Sequence, residues 1–355
     1  MKKSIFFFFI LSFIFTGALF AIDIRSGLVR IATDDQTLQP MLYRLVNISG
    51  KSKYEPLWFD GDPRTSFIIL NIDNRIYRMG ASKEYKTSQR QIKNGIEIEY
   101  RSVTNRLTQR VLFYKSPYSR VTDGFIIEIE IENYTTREMK VLIKEVCDTV
   151  LGEKGGYNFA TSSNPRVTDE MIITSDSDEK YVISPGQTSS IALLLDEEAK
   201  PDMVVIANWK RLSDSKFYYD SELMKGFTQS PFSINDSALG LYWNERIIPP
   251  KGSIKVASTW LTGGPGNEMI DWLSQNYPFP NQELQQAFEN PPVVFEEQPA
   301  ANIPKLDIEA IKELISEIDR AIDNIDNVTD KEIQDILSRL NYLEQSEELA
   351  ASQSN

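Results

Sequence analysis

Between residues 22 and 265 the chain alternates apolar and polar side chains with a period of two. Ile96, Ile98 and Tyr100 fall on one side of a strand, and Glu97, Glu99 and Arg101 on the other. Phe125, Ile127, Ile129 and Ile131 oppose Glu128, Glu130 and Glu132 in the same way. A strand with one buried and one wet face is the habit of antiparallel sheets. Further β-rich runs lie at 110–114, 180–183, 190–195, 203–207, 239–243 and 253–260. Turn residues divide them at Asn94-Gly95, Ser116-Pro117, Asp123-Gly124, Pro185-Gly186 and Pro249-Pro250-Lys251-Gly252. The pattern predicts a mainly β protein, a large antiparallel β-sandwich with more than a dozen strands. The turn at 249–252 is expected to close a late hairpin. Residues 141–159 stand out, because a β-branched strand there runs into a glycine-broken polar loop.

The period changes towards the C-terminus. Residues 266–304 read as a short helix, with Asn267 as its N-cap, followed by a proline-rich linker. Ile308, Ile311, Ile315, Ile318, Ile322 and Ile325 then recur at alternating spacings of three and four, the a/d seam of a coiled coil. Thr329-Asp330-Lys331-Glu332 fits a capping box, so residues 305–348 are expected to form an acidic α-helical hairpin. Residues 349–355 are expected to be disordered. The isoleucine seam needs cover, which it finds on the β domain, by self-association, or on a protein partner.

At the other end, Lys2 and Lys3 precede an apolar run from Ile5 to Phe20, and small residues lead into polar chain at Asp23. Residues 1–21 are expected to be a secretory signal peptide cut after Ala21, with a retained anchor as the alternative. The mature chain is then exported, to a periplasm or the extracellular space, with no membrane span left after cleavage.

Composition narrows the chemistry. The 355 residues include no histidine and one cysteine, Cys147. Histidine-based triads, imidazole metal ligands and intramolecular disulfides are excluded. The net charge of −13, with no dense basic block, argues against nucleic acid. Residues 305–355 hold 13 Asp/Glu against 5 Lys/Arg, so the tail is the most acidic part.

Several short motifs bear a resemblance. They are Asp148-Thr149 before Leu151-Gly152, Asn208-Trp209 after the run 204–207, the run 237–243, and the turn 249–253. Together they resemble the large sandwich folds related to galactose mutarotase and other carbohydrate-associated β domains. The resemblance covers roughly residues 25–265 and implies a supersandwich-like fold. The enzymes of that superfamily generally use histidine with a carboxylate, so the absence of histidine removes the catalytic implication. The exported character and acidic helical tail also resemble periplasmic proteins of spirochaetes, including envelope and flagellar-collar components.

Candidate ligand contacts follow from side-chain chemistry. Trp58, Asp60 and Asp62 pair an aromatic plane with carboxylates, as sugar faces and hydroxyls require; the competing reading is an Asp-Gly turn over a core aromatic. Asp148, Glu153 and Tyr157 flank the glycine loop, and Trp209 heads an aromatic and basic segment. Asp60 and Asp62 lack a full calcium-loop spacing, as do the acids at 176–179. Paired carboxylates can hydrolyse glycosides without histidine, yet no pair stands out. The expectation is an exported, non-enzymatic structural or protein-binding component of the cell envelope, associating through Ile308–Ile325. A carbohydrate-binding β-sandwich is the alternative. No cofactor, catalytic residue or metal site is expected.

Overall fold

A computed structural model describes residues 21–278, except 155, 196–199 and 220–224. In chain order the strands are β1 (Asp23–Ser26), β2 (Val29–Thr33), β3 (Pro40–Ile48), β4 (Lys51–Pro56), β5 (Phe67–Ile72) and β6 (Arg75–Arg78). Next come β7 (Lys86–Ile92), β8 (Gly95–Arg101), β9 (Asn105–Tyr114), β10 (Gly124–Asn133), β11 (Met139–Asp148) and β12 (Ala160–Thr161). The last six are β13 (Met171–Thr174), β14 (Tyr181–Ser184), β15 (Ser190–Leu194), β16 (Met203–Asn208), β17 (Ser237–Ile248) and β18 (Ser253–Gly263). Two helices are described, α1 (Trp209–Asp214) and α2 (Gly266–Asn276). The helical hairpin, the isoleucine seam and the signal segment fall outside the described residues.

The strands form three antiparallel sheets, as the alternation predicts. β1 to β4 make a four-stranded meander. An eight-stranded sheet runs β12-β14-β15-β18-β10-β9-β8-β7, and a six-stranded sheet runs β13-β16-β17-β11-β5-β6. Ile96, Ile98 and Tyr100 of β8 are buried, with Phe125, Ile127, Ile129 and Ile131 of β10, in the main core. On the outer face of the same strands, cross-strand pairing sets acids against bases. Glu97 meets Arg110 at 2.8 Å, Arg110 meets Glu130 at 2.9 Å, and Lys255 meets Glu128 at 2.9 Å. Half-exposed pairs of this kind keep the wet face soluble and contribute little each.

The turn at 249–252 does not close a hairpin. β17 pairs with β11 and β16, whereas β18 pairs with β10 and β15, so the turn carries the chain from one large sheet to the other. Asn133 fixes this corner: its Nδ2 donates to the carbonyls of Arg137 (2.7 Å), Ile248 (3.2 Å) and Pro249 (3.2 Å). The start of α2 also differs from expectation, with Pro265 rather than Asn267 at the cap and no side-chain cap bond.

β11 lies between β5 and β17 and is covered on both faces. Val141, Ile143 and Cys147 point into the main core. Glu145 shares that face, because its cross-strand partners Ile68 and Leu241 are core residues. Its Oε2 has no hydrogen-bond partner, and burial pushes the carboxyl up to about 8. Lys144 faces the other way, under α1. Its Nζ donates to Leu212 O and Ser215 Oγ, both at 2.7 Å, and burial lowers the amine to about 7.

Candidate functional site

The C-terminal end of β11 is the point where three loops meet. The segment after β4 is stapled to it, since Phe59 N donates to Asp148 O (2.9 Å) and Asp148 N donates to Ser66 Oγ (3.0 Å). The 152–154 turn follows directly. Gly152 is required there, because a Cβ would stand 2.0 Å from Asn158 O. The loop before β17 is tied to that turn: Asn235 Nδ2 donates to Glu153 O at 2.8 Å and Ser237 N to Glu153 Oε1 at 3.0 Å.

These ties gather Asp148, Glu153 and Asp236, with one carboxylate oxygen of each within 4.8 Å of the others. Burial pushes Asp148 up to about 7; a hydrogen bond with Thr65 opposes this, and the charges of Asp236 and Asp62 reinforce it. Burial also raises Asp236, against a bond from Ser233. Three carboxylates this close relieve their repulsion by keeping a proton on Asp148 or by holding an oxygen-preferring cation. The oxygen-only donor set is of the kind that a hard divalent ion takes.

Beside this cluster, on the α1 side of the six-stranded sheet, an open cleft of about 330 Å³ is lined by Asp62, Arg64, Thr65, Phe67, Arg78 and Trp209, with Thr37 and Gln39 across from them. Thr65 connects the two features, lining the cleft and reaching Asp148. Trp209 is half-buried and anchored, its indole Nε1 donating to Thr65 O at 2.9 Å. Asp62 caps the 3-10 turn Pro63–Thr65, and both its oxygens receive Arg64, at 2.7 Å each. Arg78 lies over the Phe67 ring, 3.6 Å from its centroid, and donates to Arg64 O at 2.9 Å. Among the described residues no carboxylate pairs with Arg78, so the cleft has one cation in excess.

The candidates named from sequence separate into groups. Asp62 and Trp209 line the cleft, and Asp148 and Glu153 form the acid cluster behind it. Trp58 is corrected: it is 4% exposed and packs edge-on against Trp260 at 5.8 Å, so its face is core and not a sugar platform. Asp60 is exposed outside the cleft lining, where its charge, after burial, helps to push Tyr43 up to about 12. With Asp62 engaged by Arg64, the pair of acids is not a calcium loop. Tyr157 packs against a separate cluster around Tyr181 and Leu273, with Arg166 5.5 Å from its ring centroid. Sequence reading missed Asp236, Arg64 and Arg78. Arg78 ends β6 just before Gly80, a positive-φ glycine, and that strand-to-turn position was the available signal.

No protein-family model and no curated protein sequence matches the chain. Solved structures similar to it include a putative aldose 1-epimerase from Escherichia coli K12, at 8% identity and TM-score 0.42, covering 69% of this chain and 99% of that one. A galactose mutarotase-like protein from Lactobacillus casei matches at 9% identity and TM-score 0.41, covering 68% and 100%. An alpha-N-acetylgalactosaminidase from Bifidobacterium bifidum, in complex with GalNAc, matches at 8% identity and TM-score 0.43, covering 72% of this chain and 38% of that one. The expectation of a non-enzymatic chain is withdrawn, as a putative aldose 1-epimerase and an alpha-N-acetylgalactosaminidase are among the similar structures. Among the described residues no helix is long and apolar enough to cross a membrane.

Proposed function

We propose that the chain is a carbohydrate-binding β-sandwich protein, and that the sugar lies in the cleft between Trp209, Arg64 and Arg78. The observation that carries this reading is the cleft itself: an anchored indole beside fixed donors and acceptors, at the volume of a small-ligand site. Indole faces stack on the C–H side of pyranose rings, and guanidinium and amide groups bond hydroxyls. The unpaired Arg78 favours a sugar that carries a carboxylate, which guanidinium receives in a two-point fork. A screen of neutral and acidic oligosaccharides against the chain and its Trp209→Ala and Arg78→Met variants tests this. Binding to acidic glycans, lost in both variants, is expected; silence across the panel, or binding unchanged by both substitutions, refutes it.

A second reading adds turnover. Asp148 sits one hydroxyl behind the cleft and holds its proton up to about pH 7, which suits a general acid acting on a ring or glycosidic oxygen. The three carboxylates are too close together to flank a sugar in the way of a two-carboxylate hydrolase, which separates its pair by about 5 Å or more. Proton transfer by Asp148 therefore fits ring opening or epimerisation better than hydrolysis. Asp148→Asn is expected to abolish turnover while binding remains; equal turnover in both proteins refutes this role.

A further inference from the structure

A second pocket, of about 300 Å³, opens between the middle of β3, the loop before β10 and the first turns of α2. Arg44 lines it five residues along the chain from Gln39 of the first cleft, roughly 17 Å at ~3.3 Å per strand residue. The pocket has an aromatic wall. Tyr118 is 54% exposed and stands edge-on to Trp272 (5.7 Å between centroids) and Tyr277 (5.8 Å), with its hydroxyl donating to Asn276 O at 3.4 Å. An exposed tyrosine held by two rings and a hydrogen bond has little rotamer freedom left to lose on binding.

The polar side of the pocket is equally fixed. Arg44 Nη1 donates to the carbonyl and the hydroxyl of Thr262, both at 2.8 Å. Among the described residues its Nε and Nη2 have no acceptor, and no carboxylate lies within ion-pair distance of it. Asp123 also lines the pocket, but its carboxylate is held by Ser116, with Oδ1 receiving the backbone N–H at 2.8 Å and Oδ2 the hydroxyl at 2.7 Å. Glu268, exposed in the first turn of α2, adds a second carboxylate to the rim. A half-buried arginine at a pocket wall that spends one nitrogen on neutral acceptors is costly unless something accepts from the others.

The charges select the ligand. One guanidinium and two carboxylates make the lining net negative, which disfavours an anion. They offer donors and acceptors side by side, the complement of vicinal hydroxyls, each of which both donates and accepts. The volume lies at the lower end for small-molecule sites and accommodates one ring. We propose that this pocket is a separate binding site for a neutral pyranose, stacked on Tyr118 with Trp272 beside it and hydrogen-bonded by Arg44, Asp123 and Glu268. It is lined by residues different from those of the acidic-sugar cleft and does not rest on that reading.

The test titrates the full chain with neutral methyl glycosides (glucopyranoside, galactopyranoside and mannopyranoside), followed by saturation-transfer NMR. Saturable binding of at least one glycoside in the millimolar range is expected. Tyr118→Ala and Glu268→Gln alter exposed side chains and leave the fold intact, as near-ultraviolet circular dichroism checks. Tyr118→Ala is expected to weaken binding about ten-fold. Glu268→Gln weakens it by a smaller factor, and Trp209→Ala leaves it unchanged. The proposal is overturned if none of the glycosides saturates, if Tyr118→Ala binds as the unaltered chain does, or if Trp209→Ala removes the binding. The last outcome would assign neutral sugars to the first cleft, whereas loss of acidic-glycan binding alone would leave this site standing.

Discussion

Glu145 gives the sandwich interior an electrostatic liability whose size follows from its position. It is 2% exposed, faces Ile68 and Leu241 across the sheet, and has an oxygen without a partner. Burial raises its pKa from 4.5 to about 8. The folded chain therefore keeps a proton that the unfolded chain has released above pH 4.5. Stability contributed by this group is complete below that pH and falls as pH rises, levelling off above about 8. Each tenfold change in proton affinity corresponds to about 1.4 kcal/mol, so the loss across the window reaches about 5 kcal/mol. Glu145→Gln removes the titration while nearly conserving shape. Urea unfolding of both proteins at pH 5, 6, 7 and 8 isolates the effect, because Asp148 and Lys144 titrate alike in both and cancel in the difference. The variant should gain on the unaltered chain by about 1.4 kcal/mol for each step of one in pH, or about 3 kcal/mol between pH 5 and 7. A difference that stays constant over this range refutes the assignment of Glu145 as a buried, protonated acid.

Other substitutions probe neighbouring features. Arg211 and Glu170 form a buried pair, with Tyr219 Oη donating to Glu170 at 2.7 Å and Arg211 Nη2 donating to Thr228 O at 2.6 Å. Arg211→Met leaves the carboxylate buried without its cation, and a loss of about 3–5 kcal/mol is expected in chemical unfolding. Lys144, lowered to about 7 by burial, is penalised when charged. The unfolded lysine holds its proton up to about 10.5 and the folded one releases it above about 7, so this contribution to stability rises with pH across that window. Lys144→Met should abolish that rise, and an unchanged pH profile contradicts the placement.

The sheets were legible where one face is wet. In β8 and β10 the glutamates mark solvent at every second position, and the inward set follows from them. β11 defeated that rule. Its Lys144 and Glu145 look like a polar step in a half-exposed strand, yet helix α1 covers one face and the other sheet covers the opposite face, so both are buried. The turn at 249–252 has the residues of a hairpin, but three of the four strands that pair with β17 and β18 instead lie more than 60 residues upstream of the residues they pair with, beyond local pattern. The candidate site was half legible for a similar reason. Asp148 and Glu153 are neighbours in sequence, whereas Asp236 reaches them only because Asn235 and Ser237 bond to Glu153 across the fold. Trp58 and Trp209 were equivalent by composition; only packing made one core and the other a cleft wall.

The most direct test of the carbohydrate reading is the indole N–H resonance of Trp209, followed by two-dimensional ¹⁵N–¹H NMR while an acidic oligosaccharide is added. Trp58, Trp243 and Trp260 are buried, and Trp272 belongs to the other pocket. A sugar in the cleft should give a saturable shift at Trp209, whose N–H is held by Thr65 at the cleft wall, with the buried indoles unmoved. A panel of acidic glycans that leaves the Trp209 resonance in place would rule out a sugar site there.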